Sequence, residues 1–232
     1  MTPEAIQNRL LFRDEMMLII DKPAGIPVHA GPKGGPHLEM YFDALRFGLP
    51  SPPVLAHRLD RDTSGCLVLG RRPKALRKLG KLFAAGRIEK VYWAIVTGEP
   101  PEDQGTIDLP LKKFTNKDGW KMMTASDGRP AVTEYRTLGT VEGITWLELK
   151  PKSGRTHQIR VHCAALGCPV LGDPVYSNEK KPTIPLHLHA RAITIPLYTN
   201  KPPVAAKALP PEHMLAVLER CGDKNSAGVT HK

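Results

Sequence analysis

The sequence predicts an α+β fold: a mixed, mainly antiparallel sheet with flanking helices. Three observations lead there. Short β-branched and aromatic runs outnumber helical stretches. The connections between them are short or irregular, unlike the regular alternation of strand and helix that builds a parallel sheet. The chain is 232 residues long and 41% hydrophobic, enough for a sizeable core, yet it contains no apolar run of membrane-spanning length.

The elements follow in order. Residues 16–21 (MMLIID) form an apolar run stopped by Lys22-Pro23, the pattern of a buried strand. Residues 22–37 are crowded with proline and glycine and read as loop. Their GPKGGP stretch lacks the Gly-Lys-Ser/Thr ending of a phosphate cradle. Residues 66–70 (CLVLG) are a second strand. Pro73 then opens an amphipathic helix, PKALRKLGKLFAAG, with Leu76, Leu79 and Phe83 on its core face. Residues 88–97 (IEKVYWAIVT) read as a strand, as do 131–138 and 144–150, which are expected to pair. The alternation of Ile144, Trp146 and Leu147 is imperfect, so the faces of the last strand stay open. Residues 156–166 are expected to be helical, with Ile159, Cys163 and Leu166 at core spacing and Gly167 as a stop. A strand over 186–195 and a proline-led helix over 211–221 complete the pattern. Residues 1–220 read as a single domain and 221–232 as a flexible tail.

Charge narrows the partner. Lys plus Arg number 33 against 23 acids, a formal charge of +10. Such an excess suits a polyanion, most often nucleic acid. The helix opened by Pro73 turns Lys74, Arg77, Lys78 and Lys81 outward, and an unmixed basic face suits phosphate contacts. No basic stretch leads into an apolar signal core, so a cytoplasmic location is the default and no membrane is expected. Four cysteines, Cys66, Cys163, Cys168 and Cys221, form no CxxC pair. With His157, His162, His187 and His189 they fit no standard zinc spacing, so no metal site is expected.

Three stretches carry candidate chemistry. Residues 57–65, HRLDRDTSG, place Asp60 and Asp62 among arginines in a turn. A carboxylate beside an arginine stays ionised and can serve as nucleophile or general base, but a neutralised solvated loop would look the same. In GRTHQIRVH, His157 and Arg160 are three apart and would share a helix face. Tyr92 in KVYWAIV is either a core residue or a ring that stacks on a base.

Taken together and in order, these stretches resemble the RluA family of RNA pseudouridine synthases. Its HRLDxxTSG signature is complete from His57 to Gly65. IIDKPAGIPVHAG, KVYWAIVTG, GRTHQIRVHCAALGCPVLGDPVYS and LHLHARAITI are similar to its other motifs, and the matches run from about residue 15 to 200. The resemblance implies isomerisation of uridine to pseudouridine in ribosomal or transfer RNA, without a cofactor. Carried over, it makes Asp60 the catalytic carboxylate and Arg160 the arginine that holds it ionised by an ion pair. Arg58 would help to flip the base, Tyr92 would stack on the uracil and Leu188 would wall the pocket. Asp62 falls on an unspecified position and is expected to be a turn or electrostatic residue, able to bond backbone N–H groups of its turn, and His57 is expected to support the loop. The catalytic motifs begin too early for the S4-type domain that many relatives carry ahead of them, so target choice would rest on the catalytic domain itself, acting as a monomer. Two alternatives stand beside this: an inactive RNA-binding protein of the same fold, and a hydrolase using Asp60 and Asp62 as acid and base. The second is disfavoured because two residues of one loop do not easily flank a scissile bond.

Overall fold

A computed structural model describes residues 1–31, 34–117, 119–177, 179 and 182–226. In chain order its elements are α1 (Pro3–Gln7), β1 (Leu10–Arg13), β2 (Met17–Lys22), a 3-10 helix (Leu38–Leu45), β3 (Val54–Leu55), β4 (Ser64–Gly70), α2 (Pro73–Ala84) and β5 (Glu89–Thr97). There follow β6 (Gln104–Asp108), β7 (Leu111–Asn116), β8 (Gly119–Thr124), β9 (Val132–Val141), β10 (Ile144–Pro151), α3 (Gln158–Ala165), β11 (Leu188–Ile195), β12 (Val204–Lys207) and α4 (Glu212–Ser226). This is the α+β class, with antiparallel pairing throughout the recorded strand registers. The chain falls into two compact units. The first holds Met1–Lys90 and Ala190–Pro210, and the second holds Val91–His189 with the segment from Pro211 onward.

In the first unit the strand order is β1-β2-β4-β11, with β3 on β4 and β12 on β11. β2 and β4 pair antiparallel, Ile19 opposite Val68 and Lys22 opposite Gly65. Alternate residues of these strands, Met17, Ile19, Cys66 and Val68, pack with Leu79 and Leu82 of α2 and with Ile193 and Ile195 of β11. Every residue of β4 is buried, which is why CLVLG reads as a continuous apolar run rather than an alternation. Gly65 is required here. Its φ is +106°, and a Cβ would lie 2.3 Å from the Ala190 carbonyl oxygen.

Helix α2 starts at Pro73 as expected, but its buried stripe is Ala75, Leu79 and Leu82. The expected Leu76 and Phe83 are only half-buried. The stripe follows i, i+4, i+7; Ala75 was easy to overlook because it is small, and Phe83 is drawn aside to stack on the His57 ring. Lys74, Arg77, Lys78 and Lys81 are all exposed.

In the second unit the order is β5-β10-β9-β6, and β7 and β8 form a separate hairpin. β10 alternates strictly, Thr145, Leu147 and Leu149 being buried and Ile144, Trp146 and Glu148 half-buried. Its sequence looks irregular because both faces are covered. Leu147 and Leu149 meet Ile159 and Cys163 of α3, while Trp146 meets Met214 and Leu218 of α4. Helix α3 is shorter than expected, and residues Gln158 to Cys163 are all buried. His157 precedes it in the left-handed region, φ 53°, so His157 and Arg160 do not share a helix face. Helix α4 continues through Ser226, past the expected end at 221. The rest of the expected tail, 227–232, lies outside the described residues.

Candidate active site

The first unit carries the Asp60 loop between β3 and β4. Leu59, 4% exposed, anchors it in the core. The backbone on the C-terminal side of Asp60 is fixed by hydrogen bonds. The Asp60 carbonyl accepts the Thr63 N–H at 3.2 Å, and the Arg61 carbonyl accepts the Gly25 N–H at 3.0 Å. Arg61's carbonyl also accepts from Lys22 Nζ at 2.9 Å, and that ammonium donates to the Pro23 carbonyl at 2.7 Å. Two stretches far apart in sequence, DKPAG and HRLDRD, are thereby joined one residue after Asp60.

Lys22 was read from sequence only as the residue that ends a strand. It is fully buried, a rare state for lysine that demands partners. Burial pushes its pKa down to about 8, opposed by the charges of Asp62 and Asp60. Asp62 pairs with its neighbour: its carboxylate accepts from Arg61 Nε at 3.1 Å and Nη2 at 3.2 Å, the electrostatic role expected of it. His57 does support the loop. Its Nε2 accepts the Val68 N–H at 3.0 Å, and its ring stacks on Phe83 at 4.6 Å between centroids. Burial, with Lys90 nearby, pushes its pKa down to about 3, so the ring is a neutral acceptor. Arg58 is exposed on the same loop.

The second unit carries Tyr92, Arg160 and Leu188. Tyr92 lies on β5 opposite Leu149 and packs half-buried against an apolar cluster that includes Leu188. Leu188 is 3% exposed and is a packing residue of that cluster. Arg160 is buried, and the carboxylate that grips it within this unit is Asp173, which sequence reasoning did not single out. Nε and Nη2 donate to Oδ2 and Oδ1, both at 2.7 Å. Asp173 is itself fixed by N–H groups of Val175 and Tyr176 on Oδ1, at 2.8 and 3.1 Å. This bidentate fork sets the plane of the guanidinium. The stretch GDPVYS encodes it: an aspartate followed by donors two and three residues on is an Asx turn.

The structure thus brings Arg58 and Asp60 together on one loop, Tyr92 and Leu188 into one cluster, and the four basic residues onto one face of α2. No group of three or more metal-ligating side chains occurs among the described residues.

Comparison with known proteins identifies the family. A family model described as RNA pseudouridylate synthase matches residues 16–165. An uncharacterized RNA pseudouridine synthase of Zymomonas mobilis is 44% identical over 208 residues, covering 88% of this chain and 95% of that protein. Ribosomal large subunit pseudouridine synthase D of the same organism is 38% identical over 190 residues, covering 77% of this chain and 59% of that protein. Among solved structures, human RNA pseudouridylate synthase domain containing 4 superposes with a TM-score of 0.80 at 28% identity, covering 94% of this chain and 95% of that one. With the motifs in order and the fold shared, this chain belongs to the RluA-type family of RNA pseudouridine synthases, enzymes that are isomerases.

Proposed function

We propose that this chain isomerises uridines in structured ribosomal or transfer RNA, with Asp60 as the catalytic carboxylate. The N1–C1′ bond breaks, the uracil turns, C5 joins C1′ and loses its proton, and N1 gains one. The product is an isomer of the substrate, so no redox partner or group donor enters. The observation that carries the proposal is the clamped backbone at Asp60. Lys22, Gly25 and Thr63 hold the peptide groups on its C-terminal side, so the carboxylate projects from a fixed frame. Fixed geometry is what such a residue needs, because misplacement by an ångström costs rate steeply.

Tyr92 and Arg160 complete the proposed catalytic set. Arg58, exposed beside Asp60, assists extrusion of the target base, and Leu188 contributes the apolar side of its environment. Lys74, Arg77, Lys78 and Lys81 contact phosphates outside the reacting centre, which their shared exposure on α2 supports. The ribosomal target named for one relative supports ribosomal RNA as a substrate. The proposal includes action as a monomer in the cytoplasm.

The test is site mapping of pseudouridine in unmodified ribosomal and transfer RNA treated with the protein, beside Asp60→Asn and Asp62→Asn. New pseudouridines with the native chain and Asp62→Asn, and none with Asp60→Asn, are expected. Activity surviving in Asp60→Asn would remove Asp60 from its role. Salt-sensitive RNA binding without modification by the native chain would favour a binding module.

A further inference from the structure

Among the described residues of the second unit, the β7–β8 hairpin exposes large apolar and basic side chains together. Phe114 is 50% exposed, Trp120 48% and Met123 41%. Lys112, Lys113, Lys117 and Lys121 are exposed along it, and Lys113 Nζ lies 4.9 Å from the Trp120 ring centroid. From this hairpin a continuous set of contacts runs inward. Trp120 stacks on His157, 5.3 Å between centroids and 24° between planes. His157 Nδ1 is 2.8 Å from the Tyr176 hydroxyl, which also accepts the Met122 N–H of β8 at 3.0 Å. The ring of the same tyrosine lies under the Arg160 guanidinium, 5.0 Å from Cζ, and its backbone N–H holds Asp173. Tyr176 therefore has the hairpin at its hydroxyl end and both members of the Arg160–Asp173 fork at its ring and backbone.

We propose that Tyr176 is a positioning residue that couples the β7–β8 hairpin to Arg160. An RNA strand drawn to the hairpin lysines loads Trp120 by stacking. That load is passed through His157 and the Tyr176 hydroxyl to the aromatic face and the carboxylate that set the guanidinium. The left-handed backbone at His157, an uncommon state for a non-glycine residue, is consistent with this. It turns the imidazole off helix α3 and between Trp120 and Tyr176. The inference rests on the proposal above in giving Arg160 a part in the reaction.

Tyr176→Phe is the informative variant. It keeps the ring under Arg160 and the backbone N–H on Asp173, and deletes only the hydroxyl that joins them to the hairpin. Trp120→Ala removes the outer end of the chain at an exposed position, where folding is not at stake. On an RNA that the native chain modifies, single-turnover rates are measured across enzyme concentration. Each variant is expected to lower the saturated rate about tenfold, and the double variant to fall no further, because both cut one path. A double variant slower by about a hundredfold, the product of independent effects, overturns the coupling. So does a Tyr176→Phe that raises only the half-saturating concentration. A second readout needs no RNA. The Arg160 Nε–H signal, identified by its loss in Arg160→Lys, should move in Trp120→Ala and stay in place when the same change is made in Tyr176→Phe. A signal that never moves, or moves equally in both backgrounds as a direct ring-current effect would, also overturns it. If the native chain modifies no RNA, the functional proposal fails, and the coupling is decided by the Arg160 signal alone.

Discussion

Lys22 shows how a single buried charge can serve two purposes. Its ammonium ties the strand end to the loop of Asp60, yet burial opposes its charge. The lowered pKa has a defined consequence for stability. Between about pH 8 and 10.5 the unfolded chain binds more protons at this position than the folded one, so the contribution of Lys22 to folding stability rises with pH across that window and is lost as pH falls through 8, against the opposite trend of the four buried cysteines, whose thiols burial pushes up. Lys22→Met should abolish this residue's share, about 3 kcal/mol from the shift alone, leaving the similar share of Lys90. Denaturant midpoints of both proteins at pH 7.5 and about 10.5 would show it; parallel curves would mean that Lys22 titrates normally. His57 acts at the opposite end of the scale. Its pKa is depressed, so stability falls as pH drops from about 6.5 toward 3, and His57→Phe should flatten part of that acid limb. Asp60 was legible as a motif residue, and Lys22 and Asp173 were not. Their importance lies in burial and in partners distant along the chain, which neither periodicity nor spacing reports.

At the scale of elements, the sequence was most readable where one physical demand dominated. The apolar runs of β2 (Met17–Ile20) and β4 (Cys66–Gly70) are continuous because they are covered on both sides, and their strand assignments followed directly. The hairpin of β7 and β8 was missed for the converse reason. Its residues are nearly all exposed, lysine-rich and under no burial constraint, so no alternation marks them. Helix α2 sits between these cases, with its basic face read correctly and its core face displaced by one position. The buried stripe predicts that Leu79→Ala costs about 2–5 kcal/mol, and that Leu76→Ala costs clearly less, as measured by urea unfolding. The outer face predicts a different effect. Lys74→Ala with Lys78→Ala should leave stability within about 0.5 kcal/mol and reduce the salt slope of RNA binding by up to about 2. An unchanged slope would remove α2 from the RNA-binding surface.

Across the whole molecule, pairing direction was legible, because strand-like runs with short connections admit few antiparallel arrangements, and so were α2, α3 and α4, whereas α1 and the 3-10 helix were not. The division into two units was not. Neither is a continuous stretch of chain: the first is Met1–Lys90 completed by Ala190–Pro210, with residues 91–189 made in between. That division bears on biosynthesis. Met17, Ile19, Cys66 and Val68 finish their packing only against Ile193, Ile195, Ala206 and Ala208. On the ribosome, the apolar faces of β2 and β4 must wait, solvent-exposed, while the intervening segment emerges. The nascent chain is therefore a natural client for holding chaperones over that interval, and a message truncated near codon 189 would leave an aggregation-prone product rather than half an enzyme.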